Sequence, residues 1–128
     1  MSTLTEMPVE ERVPGVWRLT VTAGLRTFDS MICFSRAGTL VEIAAPRAEG
    51  SLGVWAAEPD GFRYTMHAYV HDNPPDQPPV TIHTVRARGT FTGPDSFEGA
   101  AMLIFRNAED DAVLFTAEPT FVGTRVTA

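Results

Sequence analysis

The chain contains no lysine: all ten of its basic residues are arginines. Chemistry that needs a lysine amine, as a Schiff base or as a nucleophile, is excluded. Cysteine is nearly as scarce. Cys33 stands alone, so no internal disulfide forms, and a reduced, cytoplasmic setting is expected. Basic charge is outweighed, with 16 acidic residues against 10 basic ones and a net charge of −6. A chain of that sign repels a phosphate backbone, so nucleic acid is not an expected partner. No run of about 18 apolar residues occurs, so no membrane span is expected. Residues 1–11 are polar and acidic and lack the apolar centre of a signal peptide. Ser30 and Ser35 stand in no G-x-S-x-G turn, which excludes a hydrolase nucleophile elbow. No glycine-rich phosphate loop follows any strand-like segment, and no segment carries a long helical periodicity.

What is present is alternation. Segments 15–22, 27–36, 38–44, 50–57, 61–71, 80–92, 96–106, 112–118 and 120–127 read as strands. Turn-forming clusters separate them, among them Pro59-Asp60-Gly61, Gly93-Pro94-Asp95 and Asn107 to Asp111. Long alternating strands joined by short turns make an up-and-down antiparallel sheet, and in a small chain such a sheet closes on itself. The expected fold is therefore all-β: an antiparallel up-and-down barrel of eight to nine strands, spanning 14–128 behind a flexible leader over 1–13. The first strand closes on the last. A loss of phase at Glu118-Pro119 predicts a bulge or corner there.

Side chains alternate with period two, so the turns set the faces. Pairing His71 with Val80 sets Ala68 opposite His83, Met66 opposite Val85 and Tyr64 opposite Ala87. Pairing Phe91 with Phe97 sets Val85 beside Leu103 and His83 beside Phe105. Pairing Phe105 with Val113 brings Leu103 to Phe115, and pairing Ala56 with Phe62 brings Val54 to Tyr64. These registers agree on one inner face, which also carries Leu52, Ala56, Val70 and Ala101. Arg63, His67, His71, Arg86, Arg88, Glu98 and Arg106 take the opposite face. Ala68, Ala87, Gly89, Gly99 and Ala101 alternate with large inner residues. Such small residues relieve crowding in a filled barrel or leave a cavity at one end. About eight strands can enclose one small ligand, and a cavity is the expectation.

With Gly15-Val16-Trp17 on the first strand and Arg125 on the last, the chain resembles the lipocalin-like, or calycin, superfamily. There a G-x-W tryptophan closes the barrel base and a late arginine packs across it, a pairing that cation–π attraction explains. Gly53-Val54-Trp55 with Pro59-Asp60-Gly61 also looks like the hairpins of small bacterial lipocalin-like domains. The resemblance implies a barrel that binds a small apolar molecule, or a cofactor-free enzyme of the cyclase or isomerase kind found in bacterial natural-product pathways.

Within the expected cavity, His83 is the first catalytic candidate, as an acid–base group or a polar anchor for a ligand. Tyr64, facing the same way, is the second, its phenol a donor to a ligand oxygen. Trp17, Val54, Met66, Val85, Phe97, Leu103, Phe105 and Phe115 are the expected ligand-binding walls. No metal is expected. His67 and His71 sit four residues apart, which on a strand spans about 13 Å, too far for two bonds of about 2.1 Å to one zinc. Cys33 reads as a small buried residue, and Asp29, Glu42 and Glu98 as solvated outer positions. No cofactor is expected. The stretch Asp72 to Pro79 holds four of the chain's prolines and cannot join the sheet, so it reads as a rigid connector or as a lid over the cavity mouth. Ile82, Met102, Ile104 and Leu114 fall on the outer face of neighbouring strands, which predicts a homodimer contact. The alternatives to an enzyme are a non-catalytic binding barrel and a packed barrel that serves protein interaction.

Overall fold

Each alternating segment becomes a strand, because one face of every segment finds a shared interior. The computed structural model describes residues 7–45 and 49–128. A helical turn, α1 (Val9–Arg12), precedes nine strands: β1 (Gly15–Ala23), β2 (Arg26–Phe34), β3 (Thr39–Ala44), β4 (Gly50–Glu58), β5 (Gly61–Val70), β6 (Thr81–Gly93), β7 (Ser96–Asn107), β8 (Val113–Ala117) and β9 (Thr120–Arg125). Strands β1 to β7 pair in sequence, all antiparallel. The first part of β7 then pairs with β9, and β9 with β1, which closes an eight-stranded barrel. The second part of β7 pairs instead with the extra strand β8. The change of partner falls at the expected Glu118-Pro119 corner, where Ala101 N donates to Pro119 O at 2.9 Å.

One end of the barrel is closed. Its links are short: Glu58 pairs with Gly61 across a two-residue turn, and Gly93 with Ser96 across another. The Arg125 guanidinium lies 4.2 Å from the Trp17 ring centroid, the stack expected of this base. It also donates from Nε to Asp95 Oδ1 at 2.9 Å, from Nη1 to Pro14 O at 3.2 Å and from Nη2 to Arg12 O at 2.7 Å. Trp17 Nε1 donates to Val13 O at 2.9 Å. Within the stretch read as a leader, residues 8–13 thus form part of the base: Val13 is fully buried, and Arg12 lies 4.0 Å above the Phe91 ring.

Above the base, aromatic rings fill the lower half of the interior. Trp17, Phe34, Phe62 and Phe97 are wholly buried, with Tyr64 and Phe121 beside them. Phe62 meets Phe97 edge-on at 4.9 Å, and Trp17 meets Phe97 at 4.6 Å. Each buried ring contributes roughly 1.5–3 kcal/mol, and each ring pair about 0.5–1.5 kcal/mol more. The small inner residues at this level make room for those rings. A Cβ on Gly89 would come within 2.6 Å of Phe62 Cζ, and one on Gly123 would collide with the Phe97 ring.

The expected registers of β5 with β6 and of β6 with β7 are those observed, including Ala68 with His83 and His83 with Phe105. That of β4 is not. Trp55, rather than Val54, stands opposite Tyr64. The cause is the turn: with Pro59 at its second position and Gly61 at its fourth, Glu58 to Gly61 close a tight β-turn, which moves β4 by one residue and turns every side chain over. Leu52 and Val54 are therefore exposed, at 67% and 59%, while Trp55 points inward. Strand β8 slips by two residues at a bulge, so Phe115 pairs with Phe105, and Val113 with Arg106. On β3, Glu42 is buried rather than solvated. On β2, Cys33 is exposed rather than buried. Among the described residues no helix is long and apolar enough to cross a membrane.

Replacing Arg125 with alanine removes the stack on Trp17 and leaves the carbonyls of Arg12 and Pro14 without their donor. The expected loss is about 2–4 kcal/mol of unfolding free energy, measured by denaturant titration. Arg125→Lys restores little of it, because an ammonium cannot span the same fork of acceptors.

Candidate functional site

The opposite end of the barrel carries the longer links, from Val70 to Thr81 and from Asn107 to Val113. There the aromatic filling stops. A chamber of about 460 Å³ opens inside the strands, with apolar walls of Phe28, Met66, Val85, Leu103 and Phe105. Its polar lining includes Glu42 and Ser51 on adjacent strands, and His83 on β6. A larger cleft of about 820 Å³ lies at the mouth, between the proline-rich loop and β8, bordered by Asn73, Pro78, Leu114 and Phe115. His83 and Phe105 line both spaces. Their rings stack at 3.6 Å with planes 13° apart, so the pair forms a partition between cleft and chamber.

The partition is tied to the loop. Asn73 Nδ2 lies within hydrogen-bonding distance of Val70 O and Pro78 O, both at 3.1 Å, and of Thr81 Oγ1 at 3.2 Å. Thr81 Oγ1 in turn lies 3.1 Å from His83 Nε2. The Thr81 hydroxyl can donate to His83 Nε2 or accept from it, so it links the ring to Asn73 in either tautomer. The loop read as connector or lid therefore borders the mouth and reaches His83 through one hydroxyl.

The structure gathers five of the expected site residues at the chamber: Met66, His83, Val85, Leu103 and Phe105. Trp17 and Phe97 belong to the filled lower half. Tyr64 does too, with its ring edge-on to Phe34 at 5.6 Å and stacked on Phe62 at 6.1 Å. Phe115 sits at the mouth, half exposed and 5.5 Å from Phe105. Val54 is on the outer wall. Glu42 and Ser51 were not among the expected site residues. Ser51 Oγ donates to Glu42 Oε1 at 3.3 Å, and both residues are buried. Burial pushes the Tyr64 phenol well above the ordinary tyrosine range, and the charge of Glu42 adds to the rise.

On the outer wall, His67 Nδ1 and Thr84 Oγ1 are 2.8 Å apart. Ile82 and Ile104 are half-buried there, and Met102 is more exposed. A broader apolar surface spans β2 to β4, where Met31 pairs with Ile43, Val41 with Leu52, and Val54 adjoins Thr39.

No protein-family model matches the chain, and no curated protein does. Solved structures of similar shape include a redesigned β-barrel, b11L5F_LGL, at 18% identity and a TM-score of 0.54, with 93% of this chain and 96% of that one aligned. They also include EF1p2_mFAP2b bound to DFHBI, at 16% identity and a TM-score of 0.56, over 92% of this chain and 97% of that one. At such identities the likeness is one of fold, and the fold is a closed antiparallel β-barrel.

The raised Tyr64 phenol has a consequence for stability. The folded chain keeps this proton through a pH range in which the unfolded chain releases it. The resulting stabilisation is complete below about pH 10, the value of an unfolded tyrosine, and is lost as pH rises above it. In a Tyr69→Phe background, Tyr64 is the remaining tyrosine. Its ultraviolet difference spectrum should show no tyrosinate at about pH 11 in the folded chain and full ionisation in denaturant. Tyr64→Phe should remove the alkaline fall in stability.

Proposed function

We propose that the chain is a binding barrel for one small, mostly apolar molecule, held in the chamber above the aromatic filling. The observation that carries this reading is the chamber itself: about 460 Å³, walled by Phe28, Met66, Val85, Leu103 and Phe105, with Arg26, Thr27, Glu42, Ser51 and His83 as its polar groups. Volume and lining of that kind suit a small-molecule site. Of the two barrels of similar shape, the one bound to DFHBI holds a small molecule. His83 and Phe105 stand between the chamber and the mouth, and the proline-rich loop borders the way in. The lone Cys33 is an exposed free thiol, and a reduced, cytoplasmic setting belongs to the same proposal.

One observation favours a second reading. Glu42 and His83, both titratable, line the same apolar space. A cofactor-free enzyme of the cyclase or isomerase type would use such a pair, with His83 as the acid–base group and Glu42 taking the part first expected of Tyr64. A homodimer also belongs to the proposal. Its contact would use the outer apolar wall, where Leu52, Val54, Met31 and Ile43 present more exposed surface than Ile82, Met102, Ile104 and Leu114.

Titration with the neutral fluorescent probe N-phenyl-1-naphthylamine should give saturable binding at one site per chain. Leu103→Trp, which fills the chamber, should weaken it at least tenfold, and Val54→Thr on the outer wall should leave it unchanged. Equal affinity in all three proteins would remove the chamber as the site. If the barrel is an enzyme, His83→Ala and Glu42→Gln should lower turnover far more than affinity. Sedimentation of Leu52→Glu against the parent chain checks the dimer: the parent should sediment as a dimer and the variant as a monomer.

A further inference from the structure

One strand of the sheet lies outside the closed ring. Strands β1 to β7 and β9 complete the barrel, and β8 is held by β7. Among the described residues no strand pairs with the other edge of β8. The ladder also fixes which backbone groups that edge presents. Ala101 N donates to Pro119 O at 2.9 Å, and bonded pairs recur at every second residue of an antiparallel ladder. Ala117 opposite Leu103 and Phe115 opposite Phe105 therefore turn their amides and carbonyls to β7, while Thr116 turns its own to the open edge. Past the bulge, Asn107 N donates to Ala112 O at 2.9 Å, so Val113 faces the open edge as well.

Lysine, proline or a charge commonly blunts such an edge, and Val113 to Ala117 contains none of them. Its apolar side chains are open: Val113, Leu114 and Phe115 are 58%, 47% and 53% exposed. An edge of this kind takes up an extended chain, whose backbone continues the ladder. The charges lie at the two ends of the strand. Glu109, Asp110 and Asp111 precede it and Glu118 follows it, all exposed. Arg106, opposite Val113, and Arg26, at the tip of the β1–β2 hairpin, offset part of this charge. A second copy of β8, laid antiparallel, would bring Glu118 of each chain to the Asp111 end of the other, and opposed like charges destabilise a strand pair. A segment with basic residues on both sides of an uncharged centre meets opposite charge at both ends instead.

We infer that the free edge of β8 binds an extended segment of another protein by strand addition. That segment has an uncharged centre as long as the five residues of β8, with arginine or lysine on either side.

Titration of the isotope-labelled chain with the peptide RRVTVTVRR, followed by nuclear magnetic resonance, tests this. Binding should saturate, with the largest amide shifts at Val113 to Ala117 and slower hydrogen exchange at the Thr116 amide. The peptide EEVTVTVEE should bind at least tenfold more weakly. A chain carrying Asp110→Asn, Asp111→Asn and Glu118→Gln together should lose at least fivefold of that preference. N-methylation of the five central amides of RRVTVTVRR keeps its charges and removes its donors, and should weaken binding at least tenfold. Equal binding of the methylated or the glutamate-flanked peptide would overturn the assignment, as would an unchanged preference in the triple variant, shifts confined to other strands, or no saturable binding. Thr116 exchange that slows with protein concentration alone would place a second copy on the edge and overturn it too.

Discussion

Eight strands enclose more space than a single set of aromatic side chains can occupy, and the level at which those side chains end decides where anything else can fit. In this barrel they end halfway. Trp17, Phe34, Phe62, Phe97 and Phe121 fill the base, several of them resting on glycines that leave room for a ring and nothing more. Arg125 seals them from below by stacking on Trp17 and bonding to the chain that crosses the base. Dense packing at one end and smaller or half-buried side chains at the other leave an interior chamber, and His83 and Phe105 line both it and the cleft that the proline-rich loop borders.

The contents of that chamber follow from the same division. Among the lower rings, Trp17 bonds its indole N–H to Val13 O, and burial keeps the Tyr64 phenol protonated. Higher up, Glu42 is supported by Ser51, and His83 by Thr81 and the face of Phe105. These groups stand on neighbouring or facing strands, so one small molecule can touch apolar walls and a polar end together. The loop from Asp72 to Pro79 has no backbone amide to give a sheet at its prolines. Asn73 holds it instead, by bonds to its own carbonyls and to Thr81.

Much of this was legible in the sequence, and the exceptions share a cause. Alternation is clear in β5 and most of β6, where Tyr64, Met66 and Val85 stand between arginine, threonine or histidine, and the short Gly93-Pro94-Asp95 turn carries that phase into β7, whose Met102 and Ile104 leave it apolar on both faces. Their faces and pairings follow from it. The stack of Arg125 on Trp17 was readable only as what the resemblance carried by Gly15-Val16-Trp17 and Arg125 implies. Strands β3 and β4 are different. Both of their faces are apolar, with Val41, Ile43, Leu52 and Val54 outside and Leu40, Ala44 and Trp55 inside. Hydrophobicity then gives no phase, and only the turn does. The two-residue link Pro59-Asp60, with Gly61 after it, was the available signal, and it places Trp55 inward. For Glu42 no local signal existed: an acidic residue between two exposed aliphatic ones reads as solvated unless its strand's register is known. The confinement of the chamber to one end depends on which rings rest on which glycines, a property of cross-strand neighbours rather than of any single segment.

Methionine methyl groups report most directly on whether the unfilled half of the barrel is where a ligand sits. Met66 lines the chamber, whereas Met31 and Met102 lie on the outer wall. In a protein labelled at the methionine methyls, titration with decan-1-ol followed by nuclear magnetic resonance should shift the Met66 signal progressively to saturation and leave those of Met31 and Met102 in place. A shift at Met31 or Met102 with Met66 unmoved would contradict the account, because it would put the ligand outside a barrel whose interior is then closed throughout.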